Sequence, residues 1–160
     1  MTGGVYTVRY FRFTALLAFS VLPSAGVQAS GDWHRDTVQG FEKYWTQTSD
    51  GARFIIWCNR SRKLAGTVVD IDINGRNAPS RKPIRVVVDH NMVVLPADDK
   101  GYVQTDCAAC ADRFRLLWNR LRTGIRLSVQ FDDRRFAAFS LQGAADVLDA
   151  NPCPADYEKR

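Results

Sequence analysis

Between Phe54 and Leu141 apolar side chains recur with two different periods. The stretch RFIIWCN sends Phe54, Ile56 and Cys58 one way and Ile55 and Trp57 the other, which predicts a strand buried on both faces. The YWTQT run and the Ser49-Asp50-Gly51 turn before it predict a hairpin. TVVDIDI alternates more cleanly, with Val69, Ile71 and Ile73 inward against Val68, Asp70 and Asp72 outward, and Asn74-Gly75 breaks it as a turn pair should. IRVVV and MVVL follow, joined through Asp89-His90-Asn91 as another hairpin. Pro79, Pro83 and Pro96 fall between or at the ends of these runs, where a missing N–H does no harm.

After Gly101 the period lengthens. Asp106 is placed to cap a helix whose apolar face is Phe114, Leu117, Trp118 and Leu121, spaced i, i+3, i+4, i+7, and Gly124 ends it. IRLSVQF then points Ile125, Leu127, Val129 and Phe131 inward, turns at Asp132-Asp133 and returns as RFAAFSL. GAADVLDA predicts a short helical turn before Asn151-Pro152-Cys153-Pro154. Without helical crossovers between the early strands, the pairing should be antiparallel. The expected fold is mainly β: a β-sandwich or twisted antiparallel sheet with one packed amphipathic helix and a short C-terminal helical turn.

Residues 1–29 obey neither period. Arg9 and Arg12 without acids, the apolar run Phe13–Leu22, Pro23, and the small residues Val27 and Ala29 predict a cleavable signal peptide cut after Ala29. The apolar run is far below the roughly 20 residues that span a bilayer, so no transmembrane segment is expected in the mature chain. Residues 30–160 then form a single β-rich domain, large enough to bury one core. Loss of the leader leaves twenty bases against seventeen acids, a net charge of +3 instead of +5. This mild basicity, together with a periplasmic or secreted location, gives no reason to expect nucleic acid as a partner.

Four cysteines in an exported chain read first as disulfides. Three pairings exist, and the favoured one joins Cys107 to Cys110 and Cys58 to Cys153. The rival chemistry is a thiol–disulfide oxidoreductase or redox sensor using Cys107 and Cys110, because a sulfur at a helix N-terminus feels the dipole and becomes a better thiolate. Against it, Asp106 adds negative charge beside the sulfur, no later proline matches a thioredoxin-like site, and helical projection puts both sulfurs on the apolar face. Zinc would need a second closely spaced ligand pair, which is absent, so no metal or other cofactor is expected. The pair is read as a staple.

Other chemistry is sparse. Asp89-His90 lacks a Gly-x-Ser-x-Gly partner and falls in a turn, and Asp98/Asp99 and Asp132/Asp133 read as turn residues. The basic groups Arg113, Arg115, Arg120 and Arg122 flank the helix's apolar face, with Leu116 on its polar side. They form the candidate binding patch, for a protein or an anionic envelope partner.

FIIWCN, VVDIDINGRNAP, LWNRLRTGIRLSVQF and FAAFSLQGAADVLDANPC together resemble a group of small exported bacterial proteins. The group includes the invasion-associated locus B family and a type VI secretion accessory family. The resemblance implies a β-rich periplasmic or secreted fold whose first and last cysteines pair, matching Cys58 and Cys153, and non-enzymatic proteins of the envelope or of host interaction. The Cys107/Cys110 pair departs from that pattern. The expected function is therefore that of a non-enzymatic, disulfide-stabilised envelope protein that binds an envelope, secretion-system or host partner.

Overall fold

A computed structural model describes residues 1, 3, 4, 32–61 and 65–159; the rest of the expected signal peptide, with its cleavage point, lies outside the described residues. The chain builds two antiparallel sheets whose inner faces share one cluster of buried side chains. The first sheet runs β1 (His34–Val38), β2 (Phe41–Gln47), β3 (Arg53–Cys58), β4 (Val68–Ile73) and β5 (Arg76–Asn77). The two-residue β8 (Val103–Gln104) shares the outer edge of β4, pairing its start while β5 pairs its end. The second sheet has the order β10 (Phe136–Ser140), β9 (Arg126–Gln130), β6 (Pro83–Val88), β7 (Asn91–Pro96). A helix, α1 (Ala108–Thr123), links β8 to β9, and a one-turn α2 (Ala144–Val147) and a 3-10 turn (Asp156–Lys159) close the chain.

The alternation is realised in the packing. Phe54, Ile56 and Cys58 of β3 and Val69, Ile71 and Ile73 of β4 enter the core, where they meet Ile84, Val86, Val88, Leu127, Val129 and Phe139 from the other sheet. Phe54 is the meeting point, with ring centroids 6.1 Å from both Trp33 and Phe139. Asn74 and Gly75 adopt φ of 59° and 72°, the left-handed pair that a tight hairpin requires, and this is why Asn-Gly occupies the turn. In the second sheet Asp89, at φ 53°, makes the corresponding bend, and its carboxylate accepts the N–H groups of Ile125 and Arg126.

Three sequence expectations change. Cys107, not Asp106, caps α1: its backbone is extended (φ −116°, ψ 157°) and its Sγ accepts the N–H of Cys110 at 3.1 Å. The helix therefore starts one residue later than a projection through Cys107 assumes, and the sulfurs are not drawn into the core. Cys107 is exposed and Cys110 half-buried. Ile125 is 74% exposed rather than inward, because β9 begins after it and its peptide N–H is turned to Asp89 at the rim of the sheet. α1 does bury Phe114, Leu117, Trp118 and Leu121, with Ala111 completing the stripe. Burying each large side chain is worth about 1.5–3 kcal/mol relative to exposure. Trp118 packs edge-on against Tyr44 of β2 at 5.2 Å, which ties the helix to the first sheet. Among the described residues no helix is long and apolar enough to cross a membrane.

Candidate functional site

Most of the arginines singled out on α1 are engaged by neighbouring segments. Arg115 pairs with Asp112 and with Glu158 of the closing turn at 2.6 and 2.7 Å. Arg122 donates to the carbonyl of Leu148, and Arg120 to that of Met92. Arg113 and Leu116 are exposed, the latter by 44%. Three of the four arginines thus serve to dock neighbouring segments, contacts that come from residues 26 to 43 positions away and that spacing along the helix cannot reveal.

The four cysteines form two dissimilar bridges. Cys58 and Cys153, 95 positions apart with Cα atoms at 5.8 Å, are 0% and 1% exposed. Around them the tail is latched to the start of β4. Asp156 accepts the N–H groups of Gly66 and Thr67 and pairs with Lys159 at 2.8 Å, while Thr105 donates its hydroxyl to the Thr67 carbonyl and accepts the Asp156 N–H. Cys107 and Cys110, three positions apart with Cα atoms at 4.9 Å, sit at the mouth of α1 and face solvent.

Beside the latch, Glu42 and Tyr44 of β2 meet Arg35, Arg60 and Asp149. Tyr44 Oη lies 2.7 Å from Glu42 and 3.1 Å from Asp149, and Arg60 bonds both Glu42 and Asp149. Burial and the neighbouring Glu42 carboxylate push the Tyr44 hydroxyl up to about 12. Burial raises the Glu42 carboxyl too, but the bonds from Tyr44, Arg60 and Arg35 outweigh it and hold the group below its ordinary value. Each carboxylate here is matched by an arginine, so the cluster braces the strand ends rather than supplying an unpaired acid or base.

The outer side of the first sheet is different. Strand register puts Trp45 opposite His34 and Ile55, and Lys43 opposite Asp36 and Trp57. These positions face away from the core, where a solvated antiparallel sheet ordinarily carries polar residues. Trp45 and Trp57 are half-buried. His34 stacks on Trp45 at 4.6 Å, and the Lys43 ammonium lies 4.8 Å from the Trp45 ring and 5.6 Å from the Trp57 ring. Trp45 Nε1 donates to Asp36 at 2.6 Å, and Trp57 Nε1 points to Asp70 at 3.5 Å. Burial raises the Asp70 carboxyl above its ordinary value, opposed by the bond from Trp57 and by Asn77, which donates at 2.6 Å. Next to Trp57 a shallow groove of about 320 Å³ is lined by Val38, Phe41, Gly66 and Val68. Gly66, at φ 130°, is needed there: a Cβ would stand 2.6 Å from the Phe41 ring. The odd phase of Trp57 within RFIIWCN was the signal for this face, but its partners Trp45, Lys43 and His34 become visible only once strand register is known.

A second hollow of about 400 Å³ brings Asp89, His90 and Ser128 together. Asp89 is occupied by backbone N–H groups, so the trio is not a charge-relay arrangement.

Residues 31–148 match the YfjT family, and a match over most of the chain means that it belongs to that family. The matched span contains both sheets, α1, α2 and three of the four cysteines, and stops short of Cys153. No curated protein and no solved structure matches the chain.

Proposed function

We propose that this YfjT-family chain is a non-enzymatic, exported envelope protein that acts by binding, braced by its disulfides, and that its binding face is the outer side of the first sheet. One observation carries the reading: two half-buried indoles, Trp45 and Trp57, stand on the solvent side of a sheet with their N–H groups aimed at Asp36 and Asp70. Rings held in this way lose little freedom when a ligand covers them, which is where aromatic residues contribute most to recognition.

The occupant we propose is an envelope glycan. The apolar face of a sugar ring suits the indole edges and the groove along Phe41, Trp57 and Val68, while its hydroxyls suit Asp36, Lys43, Asn77 and Gln104 around them. The charges on this face, Lys43 and Arg53 against Asp36, Asp70 and Asp72, are of mixed sign. That balance favours a neutral ligand over the strongly anionic one expected from the helix arginines. Export rests on the leader read in residues 1–29 and on cysteine use suited to an oxidising compartment.

The test is co-sedimentation of the full chain with purified peptidoglycan sacculi, beside tryptophan-fluorescence titration with N-acetylglucosamine oligomers and anionic phospholipid vesicles. Binding to the glycans, weakened roughly tenfold or more by Trp45→Ala with Trp57→Ala, is expected, since buried Trp anchors contribute about 2 kcal/mol or more. Binding to vesicles alone, or glycan binding that survives the double substitution and fails with Arg113→Glu and Arg115→Glu, would overturn it.

A further inference from the structure

We infer that the Cys107–Cys110 bridge is a thiol–disulfide exchange site whose reaction partner is a protein dithiol. This goes beyond glycan binding and depends on none of the residues of that face. Four observations lead to it. The bridge faces solvent, whereas Cys58–Cys153 is sealed in the core. Its two residues are unequally covered, Cys107 exposed and Cys110 half-buried, which makes Cys107 the expected point of attack for an incoming thiolate. Cys107 is the cap of a 16-residue helix whose first turn contains no acid, and its Sγ already accepts the N–H of Cys110, a donor that acts against the negative charge of the preceding Asp106. A thiolate formed there is stabilised by that bond and by the positive end of the helix. Finally, α1 is held by Phe114, Leu117, Trp118 and Leu121, and neither Cys107 nor Cys110 belongs to the core cluster those residues enter, so the core does not depend on the bridge.

The reaction balances on the bridge alone. A client thiolate attacks Cys107 Sγ, the Cys107–Cys110 bond breaks with its electron pair on Cys110 Sγ, and a client–Cys107 mixed disulfide forms. A second thiolate of the same client attacks the client sulfur, expelling the Cys107 thiolate. The client departs with one new disulfide, the pair gains two electrons, and the two thiol protons pass to Cys110 and to solvent or Cys107. Cys58 and Cys153 take no part.

The full oxidised chain is mixed with a synthetic two-cysteine peptide in its reduced form under argon, quenched with acid, alkylated and read by mass spectrometry. One peptide disulfide should form per chain, with Cys107 and Cys110 alkylated together at least roughly tenfold faster than Cys58 and Cys153 and the circular dichroism unchanged. Against the same peptide in its oxidised form, Cys110→Ser should trap a mixed disulfide between the peptide and Cys107, whose thiolate opens the peptide bridge, whereas Cys107→Ser should trap far less on Cys110. A peptide that stays reduced, a pair that opens only when the chain unfolds, or equal trapping by both variants would overturn the inference.

Discussion

The tail around Cys153 and the mouth of α1 around Cys107 are each closed by a pair of cysteines, in opposite surroundings. At the tail the bridge spans 95 positions, lies in the core, and is flanked by a buried ion pair whose side chains are 5% and 6% exposed. At the helix mouth it spans three positions and faces water. The stabilisation expected from a crosslink grows with the loop it closes, about 4–5 kcal/mol for the long one and about 2 for the short one in the chain-entropy view. Burial adds a second difference, because a reductant reaches the tail bridge only after the tail has lifted. The same bond is thus structural in one place and chemically available in the other, and the difference lies in loop length and cover rather than in the cysteines.

The sharpest way to break the contrast is to remove the long bridge. Cys58→Ser with Cys153→Ser should lose about 4–5 kcal/mol in urea unfolding, a large fraction of an ordinary domain's stability. A loss below about 1 kcal/mol would mean that the latch alone holds the tail. The latch can be probed without touching sulfur. Asp156→Ala leaves the Lys159 ammonium buried beside unpaired N–H groups of Gly66 and Thr67, and should cost about 3–5 kcal/mol. Replacing both partners, Asp156→Leu with Lys159→Met, should recover only part of that, since the two backbone N–H groups stay unpaired.

Why the sequence announces one region and hides the other follows from range. Strands β3, β4, β6 and β7 and the core stripe of α1 are local patterns, and period alone locates them, whereas β5 is as short as β8 and escapes it. β1 carries no such pattern, since HRDTV is exposed along its whole length, and it exists as a strand because β2 offers it an edge. β8 has two residues, too few for any period. The mouth of α1 turned on one backbone geometry: continuing the helix through Cys107 points its sulfur inward, while the extended cap swings it out. The arginines on α1 read as a patch until Glu158 and the carbonyls of Leu148 and Met92 arrive from distant segments to occupy three of them. The paired indoles need register, and register is not written in any one strand.

Acid should separate the two regions more gently. Glu42, held below its ordinary value by Tyr44, Arg60 and Arg35 against the opposing pull of burial, contributes stability that is present above the usual carboxylate value of 4.5 and lost as pH falls through its folded value. Asp70, raised by burial, works in the other sense: its contribution is full below its ordinary value and lost as pH rises through the folded one. On acidification below pH 4.5, hydrogen exchange should therefore accelerate first around Glu42, Arg60 and Asp149, beside the tail, while amides of α1 stay protected. Uniform acceleration across both regions would mean that the brace and the helix open as one unit.

The smallest effect is expected at the helix mouth, and it is the most discriminating. Cys107→Ser with Cys110→Ser removes a crosslink worth about 2 kcal/mol in the entropy view, yet the measured loss should fall below about 1 kcal/mol. Serine at position 107 is a better cap than a sulfur: its hydroxyl can accept the N–H of residue 110 that Cys107 Sγ accepts now, and such caps are worth about 0.5–2 kcal/mol. The core face of α1 is untouched, and neither sulfur is in the core cluster. Thermal unfolding of this variant beside the Cys58/Cys153 variant measures the contrast directly. If the short bridge cost as much as the long one, α1 would depend on its crosslink to fold, and a bridge of that kind could not be opened and closed in the native chain.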